Sequence, residues 1–581
     1  MSNQAIAKIF NEIAQFMRME DIAFKPYAYE KGALSLESLT EDVEDIYKRG
    51  GKKALLEIPG IGFAMAEKIE AYLKTGKIKE YEQFKKKLPL NMDELLRVEG
   101  MGPKKIKVLY QKLGVTDVKS LEKAVKAHKI APLEGFGEKT EKNILQGLAF
   151  LKRDKGRFII GEIMPVAKKV LEQLKQRKEV KRASIAGSLR RMRETIGDVD
   201  FLVVSSDSKK TMDFFVKLPG VEKIWGQGGT KASVRMVNGF DMDLRVVPDK
   251  SYGAALQYFT GNKDHNIVTR KIAIEKGYKL SEYGLFKGPK LVASKTEEEV
   301  YKALGMPWIA PEMRENEGEV DAALRGKLPK LLELKDIKGD LHCHSNWGEP
   351  EGKKSSIEEL AKKAMSLGYQ YIGISDHTKD LNVERSLNEK ELLQQNAFIK
   401  KLNEKYLSAA KGSKKKGFRI LHGCESNIRR NGSIDIADEV LEKLDYVIAG
   451  VHSLHKMPKQ EMMDRIVKAM RNPHVDIIAH PTGRLVGRRE EYQHDIELLI
   501  QTAKETGTIL EINASPHRLD LKDTNIRRAK MAGVKMIINT DEHHKDQMDL
   551  MEYGVAEARR GWAEKHDIIN TKSVEELLKY F

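Results

Sequence analysis

The sequence predicts a multidomain chain of α+β and α/β type: a helical N-terminal region, a mixed segment built on two carboxylate-bearing strands, and a C-terminal (βα) barrel of seven strands. Three observations predict it. The pattern apolar-x-Gly-apolar-Gly followed by a helix-forming run occurs at residues 58–62, 98–102 and 133–137. Two apolar strands, near 198–204 and 240–247, carry aspartates at alternate positions. From residue 338 short apolar strands alternate with amphipathic helices, and most of these strands end in His, Asp or Glu.

Composition sets the frame. A chain of 581 residues exceeds what one core can organise. With 41% hydrophobic and 32% charged residues it is ordinary globular protein, and no apolar run approaches the ~20 residues that span a bilayer. The N-terminus lacks a signal-peptide pattern, and only Cys343 and Cys424 are present, so a cytoplasmic, reducing compartment is expected and a disulfide scaffold is excluded. The formal net charge of +16 favours a polyanionic partner once motifs say where an anion would lie.

Residues 1–88 read as short helices, opening with an amphipathic run through Ile6, Phe10, Ile13 and Met17. The three glycine turns recur at irregular spacing, which describes separate modules and not a solenoid. Their glycines, Gly60 and Gly62, Gly100 and Gly102, Gly135 and Gly137, permit the turn and let backbone N–H groups approach a phosphate. One such turn is usually a plain helix connection. Three in a basic chain resemble helix-hairpin-helix motifs and favour sequence-independent contact with a DNA backbone.

Residues 184–204 read as turn, short helix, turn and strand. Gly187-Ser188 opens the helix, whose first N–H groups can hold phosphate oxygens beside Arg190 and Arg191. Asp198 and Asp200 share one strand face and repel unless a cation lies between them. Asp243 on a neighbouring strand, with Asp241 on the same face, completes a cage for two hard ions, one to activate a hydroxyl and one to carry a triphosphate. A lone Asp-x-Asp is most often a solvated strand face; its setting here favours nucleotidyl transfer. Beyond it, a helix from Asn266 to Lys276 puts Asn266 and Arg270 on one face. Residues 316–337, charged and poor in aromatics, read as a linker.

The seven barrel strands are expected near 338–343, 371–376, 419–424, 446–451, 475–479, 509–513 and 534–540. Candidate ligands come after six of them: His342 and His344, His377, Glu425, His452, His480, then Asp541 and His543. The strand ending near Asn513 offers none. Two or three ions are expected, and Zn²⁺ and Mn²⁺ both suit imidazole with carboxylate. Strand alternation turns Cys343 away from His342 and His344, so both cysteines read as buried structural residues.

The sequence Gly187-Ser188-x-Arg190-Arg191 with Gly197-Asp198-x-Asp200, continued by Asp243-Leu-Arg245 and Tyr258-Phe-Thr-Gly261, resembles the palm signature of family X DNA polymerases, the group of polymerase beta. The resemblance implies a small lyase-like domain at 1–88, a DNA-gripping subdomain at 89–150, a catalytic palm at 151–250 and a nucleotide-selecting subdomain at 251–315. It implies Mg²⁺ ligation by Asp198, Asp200 and Asp243, and triphosphate binding by Ser188, Arg191 and Gly197. Tyr258 and Phe259 would pack against the sugar, Gly261 would belong to the nucleotide site, Asn266 would touch the minor-groove edge, and Arg270 the template. Lys68 stands at the family's Schiff-base lysine, although a lysine on an exposed helix face is the ordinary reading. Asp241, Lys263 and Ala64 depart from the family's residues.

Asp340-Leu-His342-Cys-His344, Ser375-Asp-His377, His480-Pro481 and Asp541-x-His543 resemble the polymerase-and-histidinol-phosphatase (PHP) domain over 338–581, which implies a distorted (βα)7 barrel with metal-dependent phosphoesterase activity. Glu349 takes the counted position of a ninth ligand, with Glu351 the alternative. Together the resemblances imply a monomeric polymerase that uses deoxynucleoside triphosphates on gapped or primer-template DNA in base excision repair, with a Mn²⁺-stimulated 3′-5′ exonuclease. The competing readings are a PHP domain that cuts abasic sites or removes 3′ phosphates, an inactive PHP appendage, and a DNA-binding scaffold without catalysis.

Overall fold

The computed structural model describes residues 2–22, 25–39, 42–58, 60–96, 98, 101–153, 156–348, 354–381, 385–410 and 417–581. The chain divides into two compact units, one built mainly on residues 1–155 and the other on 156–581. Among the described residues no helix is long and apolar enough to cross a membrane.

The first unit is helical. Its opening helix, Ser2–Met19, buries Ile6, Phe10, Ile13 and Met17 in a core that includes Ile69, Leu109 and Leu121. All three glycine turns close with the same bond: Ile61 N to Ile58 O, Met101 N to Val98 O and Phe136 N to Leu133 O, each at 3.0 Å. Each turn runs into a helix, at Phe63–Thr75, Pro103–Leu113 and Glu138–Arg153.

The second unit begins with helix Ile160–Lys175, packed against a five-stranded sheet. The order across that sheet is Val180–Ile185, Asp198–Ser205, Asp241–Val246, Lys231–Met236 and Val221–Gln227. The two carboxylate strands are parallel neighbours in its interior. Next come helices Tyr252–Thr260 and Lys263–Glu275, a three-stranded antiparallel sheet over 279–293 and helix Glu297–Ala303.

The expected linker is packed, not extended. Glu319, Val320 and Ala323 within it are buried, as is Arg314 just before it. Arg314 Nη1 lies 2.7 Å from Glu297 and Glu319 Oε1 lies 2.6 Å from His265 Nδ1. The charges that make this stretch look solvated in the sequence are matched inside the fold, where unpaired they would be costly.

The barrel shows seven strand positions. Gly339–Cys343, Tyr371–Ile374 and Arg419–His422 form one parallel sheet; Glu425–Asn427, Ile448–Gly450, Ile477–Ile478, Ile509–Asn513 and Met536–Asn539 form another. The third position is broken at Gly423-Cys424: its first half pairs with Tyr371–Ile374 and its second with Ile448–Gly450. Parallel bridges Cys343 to Glu542 and His377 to Glu425 join the two sheets.

Polymerase-like and barrel segments share a charged seam. Arg484 Nη2 lies 2.7 Å from Glu194, Arg193 3.8 Å from Asp523, and Arg560 contacts Asp523 and Glu557 and lies 3.9 Å from Glu315. Pro516 packs directly over Gly161, where a Cβ would be 2.7 Å away.

Candidate active sites

In the palm sheet Asp198 stands opposite Asp241 and Asp200 opposite Asp243. Alternation sends Val199 and Phe201 into the core and the carboxylates to the other face. Gly187 fixes the near wall. Its φ is +62°, and a Cβ there would lie 2.3 Å from Asp200 Oδ2, so only glycine lets the Gly-Ser turn come this close. Lys231 Nζ is 2.7 Å from Asp243 Oδ2.

Burial, then Asp198 and Asp243, push the Asp200 carboxyl up to about 7; burial and Asp243 also raise Asp198. A carboxylate group this short of positive charge, offering oxygen donors only, fits hard divalent cations. Asp241 stands outside the cage: its oxygens accept from Arg235 at 2.6 and 3.0 Å and from Trp225 Nε1 at 2.8 Å.

Both arginines of the turn have partners within the fold. Arg190 forks onto Glu297 at 2.7 and 2.8 Å and reaches Thr260 Oγ1, so its charge is neutralised inside the fold. Arg191 Nε lies 2.9 Å from Glu315 and Nη1 2.5 Å from Thr260 O, beside Gly261. Ser188 sits in the short helix Gly187–Arg190, and Gly197 immediately precedes Asp198. Tyr258 and Phe259 meet edge to face at 5.1 Å, with the Arg245 guanidinium 4.7 Å from the Phe259 ring centre. Asn266 is buried. It donates to Tyr258 O at 2.7 Å and accepts from Gln257 at 2.9 Å, so reaching a base edge requires releasing both bonds. Arg270 Nε donates to Asn266 O.

In the helical unit, Gly62 and Gly102 cap their helices, and no heavy atom lies within 4 Å of a Cβ built at Gly62, Gly102, Gly135 or Gly137. Gly60 is tighter, against Lys31 and Ser35. Gly100 lies outside the described residues. Lys68 Nζ is 3.2 Å from Glu80, which also accepts from Tyr29 at 2.5 Å.

At the barrel the eight expected ligands converge. Three overlapping sets form, each with ligand atoms within 4.8 Å of one another: His344, His377 and His543; His342, His344, Glu425 and Asp541; His377, Glu425 and His452. Glu425 is the hub, 2.7 Å from His377, 2.9 Å from His452 and 3.1 Å from His480. Buried His342 Nε2 makes no hydrogen bond and lies 3.4 Å from both Glu425 Oε2 and Asp541 Oδ1, spacing that suits a shared cation. Although burial pushes the Glu425 carboxyl up, His452, His342 and His377 hold it well below the ordinary range. Glu349 and Glu351 lie outside the described residues. Both cysteines are free and buried, and neither joins these sets.

Family models match in four places: the DNA polymerase beta thumb over residues 255–315, a helix-hairpin-helix domain over 1–78, a SAM-like helix-hairpin-helix tandem over 92–149, and the PHP domain over 340–515. A Bacillus subtilis protein named DNA polymerase/3′-5′ exonuclease PolX is 37% identical over 582 residues, covering 99% of both chains. The chain belongs to the PHP-bearing family X DNA polymerases. The polymerase portion is similar to DNA polymerase lambda of Arabidopsis thaliana, 26% identical over 54% of this chain and 62% of that one. The barrel is similar to a probable phosphatase of Thermoanaerobacter sp. (strain X514), 29% identical over 39% of this chain and 88% of that one.

Sequence reasoning passed over the strand ending at Asn513, yet that strand holds the site in shape. Glu511 accepts from His342 Nδ1 at 2.7 Å and from His480 N at 2.7 Å, and is itself held by Asn539 and Asn513. A carboxylate on the free ring nitrogen of a ligand histidine fixes its tautomer and aim. The signal was an acid in the middle of a short, wholly buried strand that is apolar except for it and Asn513. Arg518, 3.3 Å from Asp541, was also missed, because it lies on a loop with no spacing rule.

Proposed function

We propose that this PolX-family chain is a DNA-directed DNA polymerase that fills short gaps in base excision repair and carries a metal-dependent 3′-5′ exonuclease in its barrel. The observation that carries the reading is full-length similarity to a relative bearing both activities in its name, joined to two separate metal-type donor clusters within one compact unit. In the palm, Asp198, Asp200 and Asp243 would hold two Mg²⁺, and in the barrel the eight-residue ring would hold two or three Mn²⁺ or Zn²⁺. When bound, such ions neutralise charge on the reacting phosphate and lower the pKa of the attacking oxygen.

The chain's own residues do the positioning. Gly187 lets the phosphate-side turn approach Asp200, and Lys231 offsets the charge of Asp243. Ser188, Arg191 and Gly197 receive the triphosphate, with Arg191 leaving Glu315 to do so. Tyr258, Phe259 and Gly261 flank its sugar. Asn266 and Arg270 address the base pair and template, and the hairpin glycines track the backbone. Glu511 donates no proton in this reading; it accepts the His342 Nδ1 hydrogen so that Nε2 faces the cations. Lyase action at Lys68 would require its amine to leave Glu80; borohydride trapping on a 5′-deoxyribose phosphate end decides it.

Primer extension on gapped DNA and 3′-end degradation, each measured for the parent, Asp198→Ala and His342→Ala, test the reading. Asp198→Ala is expected to lose extension and keep degradation, and His342→Ala the reverse. Retention of both activities in both variants would remove the assignment. The similarity to a probable phosphatase favours a second reading of the barrel, phosphomonoester release. Faster cleavage of a 3′-phosphate end than of a 3′-hydroxyl end would select it.

A further inference from the structure

Strand Val221–Gln227 forms the free edge of the palm sheet, exposed almost throughout, and Trp225 is half in solvent on it. The side chain is not adrift. Its Nε1 donates to Asp241 Oδ1 at 2.8 Å, Lys223 Nζ lies 4.2 Å from its ring centre, and the Arg235 guanidinium 5.5 Å away. Arg235 stands opposite both Lys223 and Asp241, and Asp241 opposite Asp198. The indole therefore lies on the face that carries the catalytic carboxylates. Its nitrogen reaches the residue one strand spacing, about 4.8 Å, from Asp198.

We infer that Trp225, with Lys223 and Arg235, is a stacking platform for an unpaired base at the primer 3′ end. Three considerations lead there, given the polymerase reading on which the inference rests. An exposed indole flanked by cations has the chemistry that binds single-stranded nucleic acid, a π face for the base and charge for its phosphate. A base inside a duplex has both faces covered, so the platform suits an unpaired base, such as a frayed or mismatched terminal one. The platform lies beside the carboxylate cage, within reach of a primer end that has left it. Lys223 is the flexible partner: a base settling on the ring would displace its ammonium toward the adjoining phosphate. A mispaired end is thereby held open, in the form a 3′ nuclease requires, instead of re-pairing at the polymerase site.

The test uses the full chain and primer-template carrying 2-aminopurine at the primer 3′ end, matched or mismatched, with chelator present so that neither site turns over. For the mismatched end, Trp225→Ala is expected to abolish the quenching that stacking produces and to weaken binding about 5- to 150-fold, the range for loss of one stacked base. Trp225→Phe should restore most of both, and a thermal midpoint near the parent's shows that the edge still folds. Equal quenching in parent and Trp225→Ala overturns the inference, as does equal loss on matched and mismatched ends. A Trp225 signal that tracks protein concentration and ignores DNA would instead give the edge to a second copy of the chain. Failure of the parent to extend a matched primer with Mg²⁺ defeats the polymerase reading itself, whereas extension without a Trp225 effect defeats only the platform.

Discussion

Adding one methyl group to Gly187 probes the polymerase site most directly. In Gly187→Ala the new Cβ would fall 2.3 Å from Asp200 Oδ2, where ordinary contact begins at 3.4 Å, so the carboxylate or the turn must retreat by about 1.1 Å. The backbone adds a smaller cost, since φ is +62° and an alanine there loses about 1 kcal/mol. A misplacement near 1 Å at a reacting centre costs on the order of 100-fold in rate, or about 2.7 kcal/mol of barrier. Single-nucleotide gap filling with saturating Mg²⁺ should fall by that factor while the thermal midpoint moves only a few degrees. Degradation of 3′ ends by the same preparation should persist, which separates local displacement from unfolding. Extension within threefold of the parent would refute the claim that the Gly-Ser turn must touch Asp200.

The other predictions address the barrel. Glu511→Gln should weaken Mn²⁺ binding about 10- to 100-fold, measured by titration calorimetry in an Asp198→Ala background so that only the barrel sites report. Burial pushes the Asp476 carboxyl up to about 7 from an ordinary 3.8, although it accepts from Val447 N. The folded state thus binds that proton more tightly, and stability is lost as pH rises from about 4 through 7. Asp476→Asn should raise the thermal midpoint at pH 8, by an amount equivalent to at most about 4 kcal/mol, and leave it unchanged below pH 4. Burial raises the Cys424 thiol to about 12 and that of Cys343 well above its usual value, so neither should react with Ellman's reagent until the protein unfolds.

Periodicity and punctuation made much of this architecture legible. The hairpin turns announced themselves through glycine spacing, and the barrel's cluster of histidines and acids through its recurrence after apolar runs, because both depend on residues adjacent in the chain. The features that stayed hidden depend on partners distant in sequence. In the sequence Arg190 reads as charge beside a phosphate site, but Glu297, over a hundred positions away, occupies it. Glu319 adds to the polarity that makes its segment read as a linker, yet its partner, His265, lies on another element. Glu511 was passed over because a search for ligands looks just past the end of each strand, and this acid lies within one.

The seam between palm and barrel bears on whether the two chemistries can be parted. Arg484 and Arg560 belong to the C-terminal segment, but Glu194 and Glu315, which help neutralise them, are supplied from before residue 338. Expressed alone from that point, the barrel would wet two guanidinium groups shaped for a dry setting and forfeit part of their counter-charge, while the severed half would keep Arg191 on Glu315 but leave Glu194 without Arg484. Dissection at the boundary that motifs suggest is therefore expected to yield poorly behaved fragments.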